Sequence, residues 1–198
     1  MADARAGRIL RCVFDPKTEA AIRASLAAHA GQARRSDGEV PYVSHPFHVA
    51  LILARLGAEP RVLQAALLHD AVEDSADWTA ERVEREFGPD VARTVAELTE
   101  DKSRTWTERK RAQIDHVASS SLDAVAVKAA DKLHNLRTLT DDLRAAADPS
   151  MVWARFCGGR ERTLAFAREL VEALCARCDP RLAAELRAAL QDFERAPG

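Results

Sequence analysis

Thiolate donors are scarce in this chain. Its 198 residues hold four cysteines, Cys12, Cys157, Cys175 and Cys178, with a single C-x-x-C pair among them. That pair has no second pair to complete a zinc site and no strand pattern before it, which argues against structural zinc and against dithiol redox chemistry. The chain reads as a reduced, intracellular protein. It also lacks an apolar run of membrane-span length, and its start, MADARAGRILRC, lacks the apolar core of a signal peptide. A cytoplasmic location without membrane contact is therefore expected. Charge of one sign is missing too: 29 basic against 31 acidic residues give a net charge of -2. Such a balance offers no global attraction to nucleic acid or to an anionic membrane, so any polyanion binding must be local. No internal repeat, low-complexity tract or second-domain linker interrupts the chain. With 47% hydrophobic residues, one domain of this length can bury a core unaided.

What is present is helical patterning almost throughout, so an all-α single domain over 1–198 without a substantial sheet is expected, its core at about 16–145 and its C-terminal helices at about 146–195. Asp15-Pro16 is a cap and first-turn pair for a helix to about Ala30. Ser44 reads as the cap of a helix from about His45 to Leu56, closed by Gly57, and Pro60 opens another that runs through His69. Thr79 to Phe87 ends at Gly88-Pro89, Asp90 to Leu98 follows, and Thr105 opens a helix through about Val117. From Leu122 to Leu143 an apolar face of Val125, Ala129, Leu133, Leu136 and Leu139 is expected to be buried. Gly158-Gly159 then precedes two helices, about Arg160 to Arg177 and Pro180 to Glu194.

Against this background two histidines and two aspartates stand out: His45, the adjacent pair His69-Asp70, and Asp131. Glu73 and Asp74 follow the pair by one turn in LLHDAVED, and Asn135 and Thr138 follow Asp131 at helical spacings in ADKLHNLRTL. Residues three, four and seven apart share a helix face, so these polar groups would line one cavity among apolar neighbours. A buried carboxylate costs on the order of several kcal/mol unless it is paired or metal-bound. Two imidazoles and two carboxylates suit a single borderline or hard divalent ion such as Mn2+, Fe2+ or Mg2+. Four protein ligands leave coordination positions for water and a substrate oxygen. Glu73 and Asp74 could then orient the water and move its proton. Adjacent His69 and Asp70 diverge by about 100° on an ideal helix, so a break near Asp70 is expected if both are to reach one ion. The outline is a metal-dependent hydrolase of phosphate esters.

PYVSHPFHVA, LLHDAVED, LTEDK and VKAADKLHNLRTL, in this order, resemble the HD-type hydrolase domain of Rel/Spo enzymes and the stand-alone small alarmone hydrolases. The resemblance runs from about His29 to Leu139, and VWARFCGGRERTLAFARELVEAL is similar to the helical tail of bacterial single-domain members. It implies an HD-type helical bundle with one Mn2+ held by His45, His69, Asp70 and Asp131, and with Glu73-Asp74 acting on water. The implied activity is removal of the 3′-pyrophosphate from guanosine tetra- and pentaphosphate, giving GDP or GTP. GQARRSDGE places Arg34 and Arg35 where the family has a basic pair, and Lys102, Asn135 and Thr138 match positions facing the nucleotide. An arginine plane can stack on a purine while its neighbour meets phosphate. Asp37 departs from the family pattern in that loop, which bears on specificity. Without the synthesising and regulatory domains of full-length Rel/Spo proteins, the expectation is hydrolysis only, in functional pairing with an alarmone synthetase.

Other polar residues carry weaker readings. Arg109 and Lys110 are candidates for steering polyphosphate or members of a charge-paired helix surface. His48 and His116 lack partners at ligand spacing, and His134, beside Asn135, reads as structural. Trp153, Phe156 and Phe166 are options for an aromatic near the base, although aromatics at helical spacing usually pack. The metal machinery cannot see the base, so adenosine alarmones or the 2′-phosphate of NADPH remain alternative substrates. A non-catalytic nucleotide-sensing module is a further alternative, against which the retained carboxylates argue.

Overall fold

The structure, a computed structural model, describes residues 14–34 and 40–198. These residues form helices and connecting turns, and the fold is all-α. They group into two compact units, the first from 14–32 and 41–99, the second from 33–34, 40 and 100–198.

The first unit is built around a short buried helix. Its elements are α1 (Pro16–Ala28), α2 (Ser44–Arg55), α3 (Pro60–Leu68), α4 (Ala71–Asp74), α5 (Ala80–Phe87) and α6 (Pro89–Leu98). Helix α3 packs on α1, α2 and α6, so Ala65, Ala66, Leu67 and Leu68 are all buried. Each buried leucine contributes roughly 1.5–3 kcal/mol relative to exposure. The buried amide of Gln64 is satisfied by donating to Asp15 Oδ2 at 2.8 Å. Asp15 also caps α1 through Thr18 N–H. Gly57 (φ 80°) ends α2 and Gly88 (φ 95°) turns the chain between α5 and α6, backbone conformations that a side chain would strain.

Ser44 is the first residue of α2, not its cap. Val43 holds the cap position in a helical conformation (φ −56°, ψ −20°) and offers no side-chain oxygen. The expected break at the His-Asp pair is present as a local turn: α3 ends at Leu68, His69 is its C-cap, and Asp70 (φ −99°, ψ −7°) precedes the single turn of α4.

The second unit contains α7 (Trp106–Val117), α8 (Leu122–Ala145), α9 (Pro149–Trp153), α10 (Gly159–Cys175) and α11 (Pro180–Glu194). Thr105 and Glu108 form a reciprocal capping box at the start of α7. Helix α8 packs against α9, α10 and α11. It buries Val125, Ala129, Leu133 and Leu136 as expected, together with Val127, Ala130, Thr140 and Leu143, whereas Leu139 is half-buried. Trp153 is core, 5.7 Å from the Phe193 ring. Among the described residues no helix is long and apolar enough to cross a membrane.

Candidate active site

In the first unit the end of α3 and the start of α2 bring imidazoles to one carboxylate. His45 and His69 are both buried, with ring centroids 5.2 Å apart. His69 Nδ1 lies 2.7 Å from the Ala66 carbonyl. A carbonyl only accepts, so Nδ1 carries the hydrogen and the lone pair of a neutral His69 is on Nε2. That Nε2 is 3.1 Å from Asp70 Oδ2, and His45 Nε2 is 3.8 Å from the same oxygen. The Nε2 lone pair of a neutral His69 facing a carboxylate oxygen at this range is what a cation would relieve. The donor set of neutral imidazole nitrogen and carboxylate oxygen fits a borderline or hard divalent ion.

Asp70 is held from another direction by Tyr42, whose hydroxyl donates to Oδ2 at 2.6 Å. One turn further on, Glu73 is half-buried and Asp74 is exposed in α4. The Asp74 carbonyl accepts a hydrogen bond from Gln32 Nε2 at 3.1 Å. His48 is exposed on α2.

In the second unit α8 presents a polar strip beside its buried face. Asn135 is the hinge of that strip: its Nδ2 donates to Asp131 Oδ1 at 2.5 Å, and its Oδ1 accepts from Arg34 Nη2 at 3.2 Å. Arg34 Nη2 also donates to Thr138 Oγ1 at 3.3 Å. The structure thus brings together Arg34, Asp131, Asn135 and Thr138, four residues singled out in the sequence. Lys128 Nζ lies 3.7 Å from Asp131 Oδ2. Lys102 is exposed in the turn before α7. Arg35 and Asp37 lie outside the described residues.

Arg109 and Lys110 both pair with Glu100, at 3.2 and 2.8 Å. Lys110 also lies 5.2 Å from the centre of the Phe166 ring, and Lys132 Nζ lies 4.9 Å from it. Among the described residues, Phe166 is therefore the one of the three aromatic options with cations set over its ring. Burial pushes the Lys132 ammonium down to about 8, with neighbouring Asp131 opposing that shift and Lys110 and Lys128 adding to it. The Cys178 thiol is pushed up to about 11, first by burial and then by Cys175.

Tyr42, Gln32 and Lys132 were not among the sequence candidates. One signal for Tyr42 was available: it is the sole tyrosine, three residues before His45.

The helical fold thus sets a His-Asp pair against a second histidine. Residues 21–163 match the HD domain family, and the chain belongs to it. A curated relative from Drosophila melanogaster, guanosine-3′,5′-bis(diphosphate) 3′-pyrophosphohydrolase MESH1, is 46% identical over 134 residues, 64% of this chain and 74% of that protein. The Xenopus tropicalis protein of the same name is 48% identical over 113 residues, 56% of this chain, and the match spans 63% of its length. A solved structure described as a metazoan orthologue of SpoT that hydrolyses ppGpp aligns with a TM-score of 0.77 at 36% identity, covering 90% of this chain and 96% of that one.

Proposed function

We propose that this chain is a divalent-metal-dependent 3′-pyrophosphohydrolase of guanosine tetra- and pentaphosphate, acting in the cytoplasm. The observation that carries the proposal is the convergence of the His45 and His69 imidazoles on Asp70 in a chain whose relatives bear that activity in their names. His45, His69 and Asp131 can each offer one ligand atom, and with Asp70 they complete the proposed set for one Mn2+. Such an ion supplies Lewis acidity toward a phosphoryl oxygen and toward water.

The chain's own residues do the rest in this reading. Glu73 and Asp74, on the single turn after Asp70, take the proton of the attacking water and return one to the leaving 3′-oxygen. The water oxygen joins the phosphorus, the bond from that phosphorus to the 3′-oxygen breaks, and pyrophosphate leaves with GDP or GTP. Asn135 holds Asp131 by its amide nitrogen, while its oxygen and Thr138 hold Arg34. Arg34, with Arg35 and Lys102, is proposed to meet the nucleotide, its guanidinium suited to a purine face or to phosphate. A balanced overall charge leaves this recognition to local groups, and an alarmone synthetase is the functional counterpart.

The division of roles is testable. Glu73→Gln with Asp74→Asn should retain Mn2+ binding, read by calorimetric titration, and lose hydrolysis. Asp131→Ala should lose both. Equal loss of metal in the two variants would refute the division.

A further inference from the structure

The turn that carries the proposed catalytic pair is too short to hold itself. Helix α4 spans only Ala71–Asp74, and Ser75 after it is extended (φ −135°, ψ 124°). A single turn fixes several backbone angles for very few hydrogen bonds and has little cohesion of its own. The last carbonyls of a helix also need partners from elsewhere. Both needs are met by two residues that follow α1 and precede α2, Gln32 and Tyr42.

At one end of the turn, Tyr42 Oη donates to Asp70 Oδ2 at 2.6 Å. At the other, Gln32 Nε2 donates to the Asp74 carbonyl at 3.1 Å, serving as a cap for α4 from 42 positions away. The two holds are joined. The Tyr42 N–H donates to the Gln32 carbonyl at 2.9 Å, and the Gln32 side-chain oxygen lies 2.9 Å from His29 Nδ1. Because the Gln32 amide nitrogen faces Asp74, its oxygen faces His29, so His29 Nδ1 is the donor. The His29 ring, buried at 3% exposure, in turn packs at 4.8 Å against the Tyr42 ring, which meets His45 edge-on at 5.9 Å.

We infer that Tyr42 and Gln32 are positioning residues that brace the two ends of the Asp70–Asp74 segment, the hydroxyl orienting the Asp70 carboxylate and the amide fixing the Asp74 backbone. The inference rests on the reading that Asp70 holds a divalent ion and that Glu73-Asp74 handles water. It separates two effects that a general packing role would not separate. The Tyr42 hydroxyl acts on metal affinity, because a hydrogen bond to a liganding carboxylate fixes its orientation. Gln32 acts on turnover, because it touches the segment of the catalytic pair and makes no hydrogen bond to the three donors of this unit.

The test titrates Mn2+ alone into wild type, Tyr42→Phe and Gln32→Met, with metal-free melting temperatures and guanosine tetraphosphate kinetics in parallel. Tyr42→Phe keeps the ring and should weaken Mn2+ binding by about tenfold, the lower end for partners of metal ligands, with the metal-free melting temperature little changed. Gln32→Met should leave Mn2+ affinity within about twofold and lower kcat by about tenfold with KM nearly constant, as expected when an interaction made in the transition state is lost. Gln32→Glu retains an oxygen for His29 but has no donor for Asp74, and should reproduce the kcat loss. Unaltered Mn2+ affinity in Tyr42→Phe would overturn the brace, as would activity losses that simply follow the melting temperature. A wild type that binds no Mn2+ would also overturn it. If wild type binds Mn2+ and Tyr42→Phe weakens it, yet no variant hydrolyses the nucleotide, the hold on Asp70 stands and the proposed substrate falls.

Discussion

Replacing Asn135 by alanine removes two hydrogen bonds at a point where proposed metal ligand and proposed substrate arginine meet. Its amide nitrogen is 2.5 Å from Asp131 Oδ1 and its oxygen is 3.2 Å from Arg34 Nη2. Both bonds involve a charged partner, and such bonds contribute about 1.5–3 kcal/mol each. The long contact to Arg34 is partly backed by Thr138 at 3.3 Å, so the larger loss should fall on Asp131. Taking about 1.5 kcal/mol for that bond predicts roughly a tenfold fall in kcat/KM. Most of it should appear in kcat, with a parallel weakening of Mn2+ affinity. Alanine is the better helix former, so α8 should remain intact. Thr138→Val is the internal control: it removes the Arg34 contact and the hydroxyl's bond back to the His134 carbonyl of its own helix, leaves the Asn135–Asp131 bond in place, and should raise KM about two- to threefold at unchanged kcat, consistent with a weak hydrogen bond. Steady-state kinetics on guanosine tetraphosphate with metal titration distinguishes the two. A Thr138→Val effect equal to that of Asn135→Ala, or an Asn135→Ala enzyme with normal metal affinity and kcat, would refute the reasoning.

Stability should respond at two places that the packing singles out. Leu68→Ala, at a position with 0% exposure on the central helix, should cost about 2–5 kcal/mol, read by denaturant unfolding. Asp15→Ala should cost about 1 kcal/mol at neutral pH as a lost cap, and it also removes the acceptor for Gln64. Burial raises the Asp15 carboxyl, but hydrogen bonds from Thr18 and Gln64 outweigh it and hold the group below its ordinary 3.8. A depressed carboxyl stabilises the fold above its unfolded value, and the contribution fades as pH falls through the folded one. The gap between wild type and Asp15→Ala should therefore narrow below about pH 4; a gap that widened with acid would contradict the assignment.

Much of the helical order was legible because punctuation residues act locally. Asp15-Pro16, Gly57, Gly88-Pro89 and Thr105 mark ends that need no distant partner. Ser44 misled for the same reason: it is a good capping residue, yet Val43 is already in helical conformation. Helices α4 and α9 are too short to impose a period on the sequence. Residue types suited to a metal were legible at His45, His69, Asp70 and Asp131. The strip was legible as helical spacing, and Arg34 lies on it by Asn135 and Thr138, more than 100 positions away. Gln32 and Tyr42 escaped because their partners are 42 and 28 positions distant, and nothing local in an amide or a phenol announces a contact of that range. Lys132 escaped because its surroundings come from Lys110 and Phe166 on other helices.

The central claim is tested most directly by a product-resolved nucleotide panel with Mn2+ supplied. Guanosine tetraphosphate should yield GDP and pyrophosphate, and guanosine pentaphosphate GTP and pyrophosphate, faster than adenosine counterparts or NADPH react. Absence of turnover by metal-loaded protein, or preferred turnover of an adenine nucleotide, would contradict the account.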